Sequence, residues 1–291
     1  MTIAQLVDKF KKELLSYYSP NEVWTFIDLI FKKMFSIDKT FIHAHPEQEL
    51  PKFDYEQIRS IIKELKQYKP IQYIIGEVQF LDLTLSIKPG VFIPRPETEE
   101  LVNLIIQHKH SIKHQFKLID IGTGSGCIAV SLAKHLPLAQ VFATDLSTTA
   151  LDVAKLNAQR HNVNIFFQLH DIIATYPPVF NGKTPKFNVI ISNPPYVPVS
   201  MKQNMSKTVL DYEPEEAIFV SDDEPLIYYE ALCYFADKYL EPNGDIYCEV
   251  NEFLVKEMVE MLNSRGYNNF SIINDLSGKS RIFHVKAKNN N

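Results

Sequence analysis

Cysteine is scarce. Only Cys127, Cys233 and Cys248 occur in 291 residues, far apart and without CxxC spacing. That excludes a disulfide framework and a cysteine-only metal site. A basic surplus is missing as well. The 30 Lys and Arg against 35 Asp and Glu leave a net charge of −5, and coating DNA or RNA needs clustered Lys and Arg. Residues 1–70 hold 11 basic and 10 acidic side chains and the rest hold 19 and 25, so neither part is an extended basic surface. No run of about 18 uncharged apolar residues exists, as a membrane-crossing helix requires. The start, MTIAQLVDKFKKEL, carries Asp8 and charges at helical spacing, unlike a signal peptide. With 45% hydrophobic and 22% charged residues, disorder and an extended coiled coil are excluded. At roughly 150 residues per domain the length suits about two domains. The expectation is a cytoplasmic monomer with no membrane and no direct nucleic-acid partner.

The first 70 residues carry helical periodicity. Ile3, Leu6, Val7, Phe10, Leu14 and Leu15 form one apolar stripe. Ser19-Pro20-Asn21 breaks it, Glu22 to Phe35 is a second amphipathic run, and Tyr55 to Tyr68 a third. Residues 1–70 are therefore expected to form a small helical bundle. Residues 71–95 alternate and are punctuated by Gly76 and Pro89-Gly90, which reads as a β-hairpin connector. From 96 to 291 helix and strand patterns alternate. Strands are expected at Lys117–Ile121, Val141–Asp145, Ile165–Leu169, Asn188–Ser192, Asp245–Val250, Phe270–Ile273 and Arg281–Val285. Helices are expected at Glu97–His110, Ile128–His135, Ala150–His161, Pro225–Tyr239 and Glu252–Arg265. Such alternation implies a mostly parallel sheet with helices on both faces. The last two strands, with no helix between them, should pair antiparallel, and the terminal KAKNNN should fray.

Two segments carry chemistry. In KLIDIGTGSGCIAVSLAKHL a buried strand runs into Gly122, Gly124 and Gly126, and a helix begins near Gly126. Glycine permits a sharp turn and close approach of a ligand to the main chain. The spacing is GxGxG, neither the dinucleotide fingerprint nor a P-loop. Asp145 ends the next strand, where a carboxylate can accept both hydroxyls of a ribose. Asp171 and Ile172 follow the third strand at the same edge, an acid for an adenine amine and an aliphatic cover for its ring. Together these features resemble the S-adenosylmethionine-dependent methyltransferases with a Rossmann-like fold.

The second segment is VIISNPPYVPVS. Two prolines end the strand, because neither offers an N–H to the ladder, and they stiffen the turn. An amide or aromatic amine is a poor nucleophile, since its lone pair is delocalised. The Asn193 side-chain oxygen and the Pro194 carbonyl can each accept one N–H of a substrate NH₂ and hold its nitrogen against a methyl donor. Tyr196 offers a flat face to a planar group. No metal is needed for this. His43 and His45 in HAHPE read as a surface loop.

The motifs GEVQF, KPGVFIPRPETEELV, DIGTGSGCIAVSLA, SNPPYVP, YEPEEAIF and DLSGKSRIF occur in this order after a helical front end. The whole chain resembles the peptide-chain release factor glutamine N5-methyltransferases. That resemblance implies an α/β fold, a Rossmann-like seven-stranded methyltransferase sheet. It implies S-adenosylmethionine as cofactor and, as partner and substrate, a class 1 release factor, methylated on the glutamine of its Gly-Gly-Gln motif. It carries over Gly122, Thr123, Gly124, Ser125 and Gly126 as the cofactor loop, Asp145 as the ribose acid and Ile172 beside adenine. Asn193, Pro194, Pro195 and Tyr196 become the glutamine site, with Asn193 also at the cofactor edge. Phe92 and Arg95 in FIPRPE are candidates for closing the site, and the helical front end for recognising the release factor. Relatives often carry glycine after the equivalent of Glu249. Here Asn251 and Glu252 follow, and no role is assigned to this strand end. Two other readings remain. An N6-adenine nucleic-acid methyltransferase uses the same Asn-Pro-Pro-Tyr logic, but the acidic balance opposes it. A non-catalytic cofactor-binding protein is opposed by the intact motif.

Overall fold

The computed structural model describes residues 1–174 and 176–288. Residues 289–291, at the end expected to fray, lie outside the described residues. The chain divides into two compact units, Met1–Gly76 with Ser206–Tyr212, and Glu77–Met205 with the chain from Glu213 onward.

The first unit is helical. Helices α1 (Ile3–Leu14), α2 (Pro20–Phe35) and α4 (Tyr55–Lys66) bury the expected stripes against one another, with Phe10, Ile27, Phe31 and Leu65 fully enclosed. Their starts are set locally. Thr2 with Gln5, and Ser19 with Glu22, form capping boxes that satisfy the first free N–H groups. Short α3 (Lys39–Ala44) was not anticipated, because six residues are too few to show a period. It is fixed by Asp38 accepting from Phe41 N at 2.8 Å. The segment IQYII belongs to no hairpin. It is helix α5 (Ile71–Ile75), which starts after Pro70, buries Ile71, and ends at Gly76 with φ +76°. A pattern over five residues cannot separate a strand from one helical turn. Helix α9 (Lys207–Leu210) returns to this unit, where the Tyr212 hydroxyl donates to Gln67 O at 2.8 Å.

The second unit opens with the expected hairpin, β1 (Glu77–Phe80) and β2 (Leu83–Ser86). Phe80, Leu83 and Leu85 are buried. A two-way bond then ties the hairpin to the helix at 148–160: Ser86 N donates to Asn157 Oδ1 at 2.6 Å, and Asn157 Nδ2 to Ser86 O at 2.9 Å.

The seven-stranded sheet comprises β3 (Phe116–Ile121), β4 (Ala139–Asp145), β5 (Ile165–Leu169), β6 (Phe187–Ser192), β9 (Leu240–Glu249), β10 (Phe270–Asn274) and β11 (Ser280–Lys286), in the order β10-β11-β9-β6-β3-β4-β5. Strand β11 is antiparallel to β9 and to β10, as the missing helix implied, and β5, β4, β3, β6 and β9 are parallel. Alternate residues of β3 face opposite layers. Ile119 and Ile121 pack towards α10 (Ile227–Tyr239) and α11 (Val255–Ser264); Leu118 packs towards α6 (Pro96–Lys109) and α7 (Cys127–His135). Helix α8 (Thr148–Arg160) follows β4. This is the mixed α/β, Rossmann-like arrangement expected from the sequence.

Some boundaries differ from the sequence pattern. Strand β9 begins earlier, because Leu240 already pairs with Phe187 and Asp245 with Val189, so residues 241–244 loop out of the ladder. The helix expected from Glu252 begins as a 3₁₀ turn, Glu252–Leu254, with Asn251 Oδ1 accepting from Phe253 N at 3.1 Å. A parallel ladder of β7 (Val197–Pro198) with β8 (Phe219–Val220) was not anticipated, since two residues carry no alternation. Among the described residues no helix is long and apolar enough to cross a membrane. Strand order reverses between β3 and β6, so their carboxyl ends open a crevice of the kind where ligands bind in doubly wound sheets.

Candidate active site

An open cleft lies at that crevice. Gly122, Thr123, Gly124 and Ser125 after β3 line it, as do Asp145 at the end of β4, Asp171 and Ile172 after β5, and Asn193, Pro194 and Pro195 after β6, with Phe92 from the loop before α6. Gly126, Arg95 and Tyr196 are not among its lining residues.

The glycine loop is held by backbone bonds. Gly122 N and Thr123 N both donate to Thr144 O at 2.9 Å, and Gly126 N donates to Thr123 O at 2.8 Å. All three glycines have positive φ. A Cβ on Gly122 or Gly124 would meet nothing within 4 Å, whereas one on Gly126 would lie 3.0 Å from the Ala154 Cβ. Gly126 thus serves close packing of α7 on α8, and the other two leave room in the cleft. Below the loop, Asp120 is fully buried and accepts from the Thr123 hydroxyl at 2.6 Å. Burial pushes its carboxyl up to about 7.

Asp145 is nearly enclosed. Its Oδ2 accepts from Gly124 N and its Oδ1 from Ser147 N, both at 2.8 Å. Burial raises its pKa against the pull of these N–H groups. A carboxylate has about four acceptor positions. Two are used here, which leaves room for two further donors such as the hydroxyls of a vicinal diol. Asp171 Oδ1 accepts from Ile173 N at 2.9 Å, and Ile172 packs on the apolar layer beside α10.

After β6, the Ser192 hydroxyl donates to Ile121 O at 2.7 Å and ties the two strand ends together. Asn193 Nδ2 donates to Thr98 Oγ1 at 3.1 Å. With its N–H end so engaged, the amide keeps Oδ1 as an acceptor. Pro194 is buried. Tyr196 is packed into the same apolar layer, and burial, with Glu249 adding to it, pushes its phenol up to about 12. Its carbonyl accepts from Asn251 Nδ2 at 3.3 Å. The strand end after β9, given no role from the sequence, therefore pins the backbone of this turn. Arg95 pairs with Glu213 at 2.6 Å, stands over the Phe92 ring at 4.5 Å, and leaves Ile93 N to donate to the other Glu213 oxygen at 3.1 Å. Glu213, from YEPEEAIF, thus clamps the FIPR loop. Among the described residues no group of three His, Cys, Asp or Glu is arranged to hold a metal ion. His43 packs against Trp24 and His45 against Phe41.

Comparison with known proteins follows the same lines. The Methyltransferase small domain matches residues 82–211 and the PrmC N-terminal domain residues 5–76. The chain is 38% identical over 290 residues to the release factor glutamine methyltransferase of Flavobacterium psychrophilum, covering 99% of this chain and 100% of that one. To the release factor glutamine methyltransferase of Bacteroides thetaiotaomicron it is 37% identical over 273 residues, 94% and 95% of the two chains. The chain belongs to the release factor glutamine methyltransferase family. Among solved structures, the N-terminal domain of human METTL16 in complex with SAH has a TM-score of 0.51 at 17% identity, covering 78% of this chain and 83% of that one, a likeness of fold alone.

For this methyltransferase, sequence reasoning missed several residues of the cleft. Thr98, Tyr228, His170 and Glu216 line it. Tyr228 sits on α10 within charge range of Asp171, and its phenol is raised by burial first. Burial lowers the His170 pKa, and Nε2 bonds to Tyr176 O at 3.0 Å. Nothing local marks these positions. Thr98 lies within an acid-rich helix start and Tyr228 within an ordinary amphipathic run.

Proposed function

We propose that the protein transfers a methyl group from S-adenosylmethionine to the side-chain amide nitrogen of the glutamine in the Gly-Gly-Gln motif of class 1 peptide-chain release factors, in the cytoplasm. When bound, the cofactor supplies an electrophilic methyl on a sulfonium and leaves as S-adenosylhomocysteine. Its fit to the cleft is supported by the two open glycines, by the two spare acceptor positions of Asp145, and by Asp171 with Ile172 beside them.

The observation that carries the reading is the amide of Asn193. Its Nδ2 is tied to Thr98, so an acceptor remains at the end of β6, on the crevice where strand order reverses. Asn193 Oδ1 and the Pro194 carbonyl would each accept one N–H of the substrate NH₂. Two such bonds orient the nitrogen lone pair and favour the charge that builds on nitrogen during transfer. The proton leaves afterwards, so no general base precedes attack. Pro194 and Pro195 stiffen the turn, Tyr196 supports it from the apolar layer, and Phe92 and Arg95 belong to the loop that closes the site.

Asn193→Ala tests this directly. Transfer to a release factor should fall about 100-fold or more, while the cofactor dissociation constant changes only a few-fold. Near-normal turnover of that variant would overturn the amide-positioning mechanism.

A further inference from the structure

One motif of the sequence, DLSGKSRIF at 275–283, contributes nothing to the lining of the cleft. It forms the turn between β10 and β11 and the start of β11. Strand β11 is antiparallel to β9, with Ile282 opposite Glu249, and β9 is parallel to β6, with Cys248 opposite Ser192. The turn therefore projects from the same sheet edge as the Asn193–Tyr196 turn.

Its tip is Leu276, which is 95% exposed, and Phe253, on the 3₁₀ turn after β9, is 69% exposed. Among the described residues these are the two most exposed large apolar side chains. Single apolar residues in water are ordinary on a protein surface. These two are set apart by how firmly they are held and by what holds them. Buried Asp275 accepts through Oδ1 from Ser277 N and Lys279 N, both at 2.9 Å, and through Oδ2 from Arg281 Nε at 3.3 Å. Asp275 N donates to Lys279 O and Gly278 N to Asp275 O, both at 2.8 Å. Leu276 N donates to Glu100 Oε2 at 3.2 Å, and Glu100 lies on α6 two residues beyond Thr98, the partner of Asn193. Phe253 N donates to Asn251 Oδ1 at 3.1 Å, and Asn251 Nδ2 donates to Tyr196 O at 3.3 Å. The two turns are joined to each other by Lys279 Nζ and Glu252 Oε1 at 2.8 Å. Both apolar side chains thus stand on turns bonded to the elements that carry the Asn193–Tyr196 turn. Leu276 gives almost nothing to the core, because nearly all of its surface stays in water.

We propose that Leu276 and Phe253 form a docking surface for the release factor, packing against apolar side chains of the segment next to its substrate glutamine. This role rests on the methyl-transfer reading given above. The occupant follows from position. A glutamine amide stands on a short side chain, so the main chain that carries it must come down onto the rim of the cleft when the amide reaches Asn193 Oδ1. On the β9 side that rim is these two turns. The contact is through side chains and not by strand addition, since the N–H groups of Leu276, Ser277, Gly278 and Lys279 are all used within the protein. Turns fixed beforehand lose little freedom on binding, so burial of the two side chains is realised as affinity.

A photo-crosslinking residue tests the contact directly. Benzoylphenylalanine is placed at position 276 of the full chain, loaded with S-adenosylhomocysteine, and irradiated with a class 1 release factor. It should join residues that flank the Gly-Gly-Gln glutamine, located by mass spectrometry. In turnover, Leu276→Ser combined with Phe253→Ser should raise KM for the release factor about 10-fold or more. Its kcat, cofactor affinity and melting temperature should stay close to those of the wild type, because both side chains are exposed and neither lines the cleft. Crosslinks absent or far from the glutamine, or an unchanged KM in the double variant, would overturn the docking surface. A loss of kcat or cofactor affinity as large as the rise in KM would mean that the turns only hold the shape of the catalytic turn, and would overturn it as well. Crosslinking needs no methyl transfer. If the wild type methylates no release factor while position 276 crosslinks beside the glutamine, the functional reading fails and the docking surface stands. Methylation at the glutamine without that crosslink has the opposite meaning.

Discussion

Gly122, Gly124 and Gly126 share a left-handed backbone, but their surroundings differ, and the difference is measurable. At Gly124 an added methyl meets open space, and at Gly126 it meets α8. Both substitutions carry about 1 kcal/mol or more of backbone strain. Gly126→Ala should cost about 1–3 kcal/mol beyond that in urea unfolding, because Ala154 must move. Gly124→Ala should instead weaken cofactor binding about 10-fold, read by calorimetry, with less effect on stability. The same losses in both variants would contradict this division. Glu249 gives a second prediction at this scale. Its folded-state pKa, about 7 against an ordinary 4.5, means that the folded protein holds the proton more tightly than the unfolded chain. Its contribution is therefore complete below about 4.5, falls as pH rises through 7, and is level above that. Glu249→Gln should gain on the wild type by on the order of 3 kcal/mol between pH 5 and pH 8 in urea unfolding. Asn193 and Asp145 were legible in the sequence because each follows directly on a buried strand, which fixes its place at the sheet edge. Thr98 was not, because its meaning comes from a residue 95 positions away.

Whole elements were legible where a period had length to develop. Apart from the early start of β9, the strands of the sheet and helices α6, α7, α8 and α10 came out within a few residues of their expected bounds. Helix α5 did not, because one turn of helix and a short strand can both bury Ile71 and Tyr73, two residues apart. The β7–β8 ladder depends on Val197 finding Phe219, which no local pattern records. The antiparallel strand β11 is secured by charge as well as register. Asp245 at the start of the β9 ladder is 1% exposed and pairs with Lys109 of α6, with His284 Nε2 at 2.7 Å and with Lys286 Nζ at 2.6 Å, both on β11. Burial opposes ionisation of Asp245, but hydrogen bonds from His284, Lys109 and Lys286 hold its pKa well below the ordinary 3.8. The stabilisation is thus present above about 3.8 and is lost as pH falls through the lower folded-state value. Asp245→Asn should cost about 3 kcal/mol at pH 7, because Lys109 and Lys286 lose their counter-charge. The gap between variant and wild type should narrow under strong acid. A gap that stays constant down to pH 2 would contradict the assignment.

At the scale of the molecule, the −5 net charge weighs against a nucleic-acid substrate, and the fold places one cleft where the order of parallel strands reverses. The crevice itself is sequence-legible, because glycine loop, acid and Asn-Pro-Pro-Tyr each follow a strand of the same sheet. The clamp of Arg95 by Glu213, 118 residues apart, is a product of folding, and it turns two separate motifs into one wall. The most direct test of the account is transfer of a labelled methyl group from S-adenosylmethionine to candidate substrates side by side: a class 1 release factor, the same factor with its Gly-Gly-Gln glutamine replaced by alanine, and DNA and RNA. The account predicts label on the intact release factor at that glutamine, located by mass spectrometry, and none on the substituted factor. Label confined to adenine in nucleic acid, or undiminished by replacing the glutamine, would contradict it.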